Sequence, residues 1–191
     1  CGTVGVLPRQ VCGVPSASKN QKAGDLIVML GGAVGLDGIH GATSSSLALD
    51  SKTPSSMVQI GNPLTQKRTA DLLLEARDLG LYNSLTDNGA GGLSSSIGEM
   101  ATQTNGAKVY LDQVPLKYPG LQPWQIMVSE SQERMTLSVP KDKANELLSL
   151  AKERGVQASV VGEFTSNGKL EILKFRNNSS IIFCDLDRCT R

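Results

Sequence analysis

The last third of the chain alternates strand and helix signals with clear punctuation, and that rhythm constrains the fold class. Arg134 to Val139 reads as a strand. Pro140 opens a helical pattern that runs to Arg154, with Leu147, Leu148 and Ala151 on one face and Ala144 above them, and Gly155 stops it. Val156 to Phe164 is the next strand, Asn167-Gly168 is a hairpin signal, and Leu170 to Phe175 returns. Strands and helices in alternation bury their apolar faces against one another. The predicted fold is therefore α/β (α+β), a mixed β-sheet flanked by helices.

Earlier segments fit the same plan. Asp25 to Leu30 is an apolar run between Gly24 and Gly31-Gly32, as a buried strand requires. Met57 to Ile60 is a short strand candidate. Thr65 to Leu79 is a helix, with Leu72, Leu73, Ala76 and Leu79 at helical spacing and Gly80 as its stop. Leu81 to Thr86 reads as a strand, Ser94 to Gln103 as a helix, Lys108 to Leu111 as a short strand and Pro123 to Ser129 as a short helix. Ile181 to Cys184 suits an edge strand. The Gly-, Pro-, Ser- and Lys-rich stretch before Asp25 reads as loop or linker.

Composition removes several functions. A chain of 191 residues has room for one good core or two small domains. A net charge of +1 and 4% aromatic residues supply neither a basic stripe nor stacking platforms, so nucleic acid is not an expected partner. No apolar run is long enough to span a membrane, and Cys1 to Lys19 lacks the pattern of a signal peptide. Cys1, Cys12, Cys184 and Cys189 lie near the ends without close CxxC spacing, and His40 is the sole histidine. A structural zinc site is thus poorly supported, and free thiols in a reducing, cytoplasmic setting are expected, with pairing between the two ends as the alternative.

Three segments can carry chemistry. Thr86 to Met100 (TDNGAGGLSSSIGEM) reads as a strand end, a glycine turn and a helix start. Such a turn exposes backbone N–H groups at a positive dipole end, and Asp87 could hold a hard cation such as Mg²⁺ beside a phosphate. The plainer reading is a serine-capped helix start. Gly31 to Ser46 (GGAVGLDGIHGATSSS) follows a strand and offers a second candidate anion nest, or simply a flexible loop. It lacks the Lys-Ser/Thr pair of a Walker loop. His40 as a general base would need Asp37, three residues away, to orient it; a loop hydrogen-bonder is the commoner role. Ser129 to Met135 (SESQERM) gathers carboxylate, hydroxyl and amide groups suited to a hydroxylated, amide-bearing ligand, or else forms a charged helix end. Gln59, just before Gly61, is a further polar point or a turn residue. Neither a Ser-His-Asp set nor thiolate catalysis can be built from these residues.

Taken in order, GDLIVMLGGAVGLDGIHGATSSS (24–46), VQIGNP (58–63), LTDNGAGGLSSSIGEMA (85–101) and SESQERM (129–135) resemble the C-terminal half of an aminoimidazole-ribonucleotide (AIR) synthetase-like unit. The resemblance is greatest to the phosphoribosylformylglycinamidine synthase family. It covers about residues 14–176, so residues 1–13 are expected to be an extension and 177–191 a tail. It implies an ATP-dependent ligase of purine biosynthesis. ATP and Mg²⁺ activate the amide of formylglycinamide ribonucleotide (FGAR), and ammonia from a glutaminase partner displaces phosphate. It implies that Asp87 ligates Mg²⁺, and that Gln59, Glu130, Ser131 and Gln132 contact the ribonucleotide. It also implies that the catalytic histidine lies in a preceding N-terminal domain and is not His40. The chain is thus expected to be one domain of a longer enzyme, with no catalytic residue of its own and inactive alone. Ala33 and Leu36 stand where the family usually has basic residues, which weakens a charge-based phosphate role for that loop. Other members of the superfamily (hydrogenase maturation, selenophosphate synthetase, thiamine-phosphate kinase) and a catalytically dead ligand-binding scaffold are the alternatives.

Overall fold

The computed structural model describes residues 4–40 and 61–174, together with the backbone of residues 180–185. The order is β1 (Gln10–Val11), β2 (Val14–Pro15), β3 (Leu26–Gly31), α1 (Pro63–Asp78), β4 (Ser84–Asp87), α2 (Gly92–Thr104), β5 (Ala107–Tyr110), α3 (Pro123–Val128), β6 (Arg134–Val139), α4 (Ala144–Glu153), β7 (Ala158–Phe164), β8 (Lys169–Leu173) and β9 (Ser180–Asp185). A single 3-10 turn, Leu111–Gln113, follows β5. The strand predicted at Met57–Ile60 lies outside the described residues.

Strands β3 to β9 form one 7-stranded sheet in the order β4-β6-β3-β7-β5-β8-β9. All neighbouring pairs are antiparallel except β5 and β8, which run parallel. The sheet is therefore mixed, as the alternation of elements implied. β3 is an inner strand, third in this order, and its LIVMLG sequence explains why. Ile27 and Met29 join one apolar cluster with Leu93, Ile97 and Met100 of α2. Val28 and Leu30 join another with Leu72 of α1, Leu137 of β6 and Leu147 of α4. A strand covered on both faces needs a continuous apolar run, not an alternating one. The result is three layers: α1 and α4, then the sheet, then α2 and α3.

Helix boundaries follow local chemistry. Asn62 caps α1 by accepting from the N–H groups of Leu64 and Thr65 at 3.0 and 3.1 Å, and Pro63 occupies the first turn. Residues 140–143 form a turn, so α4 starts at Ala144 and not at Pro140. Arg154 holds Glu75 through two hydrogen bonds of 2.8 Å, joining α4 to α1.

The predicted β7–β8 hairpin is not a paired hairpin. Both strands pair with β5, which lies between them. The turn that joins them wraps the start of β5: Thr165 N–H donates to Gly106 O at 2.9 Å, and Gly168 N–H to Asn105 O at 2.7 Å. Asn-Gly specifies a tight reversal of the chain, but the ladder partner is set by sheet burial elsewhere. In the stretch read as loop, β1 and β2 form a two-residue hairpin turned by Cys12 and Gly13, both at positive φ. Cys12 is an exposed free thiol. Among the described residues no helix is long and apolar enough to cross a membrane.

Candidate functional site

A cavity of about 320 Å³ opens between α1 and the sheet edge formed by β4 and β6. Asp87, Ser131, Gln132 and Glu133 line it from the sheet side, and Gln66 and Thr69 from α1. The fold thus brings three of the predicted site residues, Asp87, Ser131 and Gln132, to one cavity. β4 and β6 are antiparallel neighbours with Asp87 opposite Met135, so the end of one strand meets the turn that precedes the other. Gln59 lies outside the described residues. Glu130 does not line this cavity.

Asp87 is exposed at the end of β4, and its Oδ1 accepts the Gly89 N–H at 2.9 Å. Its second carboxylate oxygen makes no hydrogen bond among the described residues. No group of three or more His, Cys, Asp or Glu side chains able to hold a metal occurs among the described residues. A single exposed carboxylate fits Mg²⁺ only where a ligand's phosphates supply further oxygens, which is how this ion is commonly held.

The glycine turn after Asp87 does not offer an open anion nest. Gly92 N–H donates to Gly89 O at 3.0 Å, and Gly91 N–H donates to a Glu130 carboxylate oxygen at 3.1 Å. The anion at the start of α2 is therefore the protein's own Glu130, a placement the helix dipole favours. No serine caps this helix; Gly91 occupies the N-cap in the left-handed region. Gly92, at φ +57°, abuts the Ser129 carbonyl so closely that any Cβ would overlap it. Glycine here brings α2 against the Ser129–Glu133 turn.

The first glycine-rich segment is likewise tied down. N–H groups of Gly31, Gly32 and Val34 donate to the carbonyls of Gln157, Glu133 and Pro115 at 2.9, 3.0 and 2.8 Å. Those of Gly35 and Leu36 donate to Ser131 Oγ at 2.9 Å and Tyr118 Oη at 2.8 Å. Over residues 31–36 the segment is neither a flexible loop nor a free nest; residues 41–46 lie outside the described part.

Asp37 serves a different partner from the one the sequence suggested. Its carboxylate accepts from Lys117 Nζ at 2.6 Å and from the Ser131 hydroxyl. Burial raises its pKa, but hydrogen bonds from Lys117 and Ser131 and the lysine's charge outweigh burial and hold it below the usual value. His40, exposed at the far end of the segment, has no such orienting contact with Asp37 among the described residues.

The SESQERM turn is organised by a residue that sequence reasoning passed over. Arg134 is buried, and its guanidinium donates from Nε to Ser131 O at 2.7 Å and from Nη2 to Ser129 O at 2.5 Å. Burial pushes its pKa down to about 10, opposed by the charge of Asp37. Ser131, also buried, accepts from Gly35 N–H and lies 3.1 Å from Ser129 Oγ. Gln132 Nε2 donates to Glu130 O at 3.2 Å. A charged residue opening a strand next to buried neighbours was the available signal for Arg134. Asn88 was also missed: buried beside Asp87, it accepts from Ser96 Oγ at 2.5 Å and Thr136 Oγ1 at 2.8 Å, joining β4 to α2 and β6.

A three-layer mixed sheet with an aspartate-ended strand facing an SESQERM turn matches one family over most of its length. The sequence profile described as AIR synthase related protein, C-terminal domain, matches residues 22–174, and the chain belongs to that family. Among curated relatives, the phosphoribosylformylglycinamidine synthase subunit PurL of Carboxydothermus hydrogenoformans is 39% identical over 168 residues, 84% of this chain and 23% of that protein. The corresponding subunit of Thermoplasma acidophilum is 34% identical over 189 residues, 97% of this chain and 24% of that protein. Among solved structures, Thermotoga maritima PurL complexed with FGAR superimposes with a TM-score of 0.78 at 36% identity, covering 90% of this chain and 28% of that one. The chain thus spans about a quarter of the length of these relatives.

Proposed function

We propose that this chain is the AIR-synthase-type domain of a phosphoribosylformylglycinamidine synthase, and that it supplies part of the site where FGAR is converted to the amidine at the expense of ATP. The observation that carries this reading is the 36% identity to the FGAR-complexed Thermotoga maritima protein across 90% of the chain. The cavity supports it, since Asp87, Ser131 and Gln132 meet there. The same Thermotoga protein has been solved complexed with ATP, and as the assembly PurLQS, which supports ATP as co-substrate and a glutaminase as ammonia source.

In this reading the domain runs over residues 14–176, and the N-terminal synthetase domain supplies the catalytic histidine. Gln59, Glu130, Ser131 and Gln132 contact the ribonucleotide. Asp87, exposed at the end of β4, is the carboxylate that would share Mg²⁺ with a ligand phosphate, and Glu133 is a second carboxylate in the cavity lining. When bound, that ion would neutralise phosphate charge. The chain's own groups position the amide and sugar by donor and acceptor matching. The enzyme works in the cytoplasm, with neither nucleic acid nor membrane as partner.

Calorimetric titration with FGAR, with and without MgATP, tests the reading. Binding that Gln132→Ala removes is the expected result. No binding by this chain, either alone or joined to the rest of a synthetase, would overturn it.

A further inference from the structure

The Ser129–Glu133 turn is held from both ends of its polar backbone. Ser129 O and Ser131 O accept from Arg134, Glu130 N–H donates to Asp37 O at 2.8 Å, and the Ser131 hydroxyl donates to the Asp37 carboxylate. Glu133 closes the turn at φ +56°, a conformation that L-residues other than Asn and Asp rarely hold without support. Arg134 contributes to the cavity lining, while its guanidinium is engaged by the carbonyls of the turn. Along β6, Met135, Leu137 and Val139 face α1 and α4. Arg134 alternates with them and shares the opposite face with Thr136, which lies 3.0 Å from Ser96 of α2.

We propose that Arg134 is the positioning residue of the ligand site, a buried cation that grips two carbonyls of the turn while Asp37 grips its Glu130 N–H and Ser131 hydroxyl, so that Gln132 is aimed before any ligand arrives. Among the described residues its buried Nη1 has no hydrogen-bond partner, a cost that the other two bonds offset. A fork of donors at fixed spacing does what a lysine's single ammonium cannot: it fixes two carbonyls relative to each other. The part about ligand rests on the function proposed above; the clamp itself does not.

Two readouts separate them. Hydrogen exchange in the whole chain reports the clamp. In Arg134→Met the Glu130 and Gly35 amides should exchange at least tenfold faster, with the Met29 amide of β3 unchanged. Arg134→Lys should fall between Met and wild type, and serves in its place if the Met variant does not fold. Unchanged exchange at Glu130 in a folded variant overturns the clamp. FGAR titration reports the aim. Affinity should drop about tenfold in Arg134→Lys, and equal affinity to a wild type that binds overturns the positioning role. A wild type that does not bind FGAR, either alone or joined to the rest of a synthetase, removes the functional reading, while the exchange result still decides the clamp.

Discussion

The two glycine-rich segments of this chain look alike in sequence and behave differently in the fold. Gly31 to Asp37 sends its backbone N–H groups to carbonyls and side chains of three distant segments, around Pro115–Tyr118, Ser131–Glu133 and Gln157. Asn88 to Gly92 turns its N–H groups on its own segment, on Glu130 and on the Arg134 carbonyl, and leaves the Asp87 carboxylate exposed at the cavity. Glycine in the first segment permits protein to approach protein; in the second it frames an opening. Dense glycine thus signals close approach, and only the partner decides whether that approach concerns a ligand.

The sharpest way to break this comparison is at Gly31. It sits at φ +99°, and a Cβ would overlap the Glu133 carbonyl. Gly31→Ala should destabilise the chain by about 3–5 kcal/mol, combining backbone strain with displacement of the turn. Gly24→Ala is the control, because Gly24 has a similar φ of +96° but open space around it. It should cost about 1–2 kcal/mol, the strain alone. Equal denaturant midpoints for the two variants would sink the close-approach account.

A smaller effect is expected at Asp37. Asp37→Asn should cost about 1 kcal/mol at neutral pH, since solvent screens the Lys117 pair in part. The folded carboxyl has the lower pKa, so its contribution is present above the ordinary value of 3.8 and is lost as pH falls through the folded value. Wild type and variant should therefore converge in acid melts, and a gap that widens below pH 4 would contradict the assignment.

In the second segment, Glu130→Gln should weaken the start of α2 by about 0.5 kcal/mol, with the difference shrinking in high salt. The smallest effect belongs to the outer layer. Glu75→Gln breaks an exposed pair with Arg154 and should barely move the melting temperature.

Much of the scaffold was legible. The apolar run of β3, the spacing of Leu72 and Ala76 in α1 and the stops at Gly80 and Gly155 all report local burial and local turns, and the structure keeps them. What could not be read were partners distant in sequence. The Gly35 amide meets Ser131, 96 residues on, and Leu36 meets Tyr118, 82 residues on. Nothing in a glycine-rich string announces such acceptors. Asp37 was matched with His40 because His40 was close in sequence, whereas a lysine and a serine from other segments reached it in space. The site motif was legible as a set of polar side chains; the buried arginine that shapes it was not, because burial depends on what α2 and the glycine segment bring over it.

The insertion of β5 between β7 and β8 has a consequence for the order in which the molecule assembles. Two strands joined by a tight turn would ordinarily zip together within microseconds. Here they must stay apart until residues 107–110, some 50 positions earlier, have slotted between them and paired with both. The β7–β8 turn therefore starts no ladder of its own, although β8 pairs with β9, and closure of this half of the domain waits on a long-range docking step that topology makes slow.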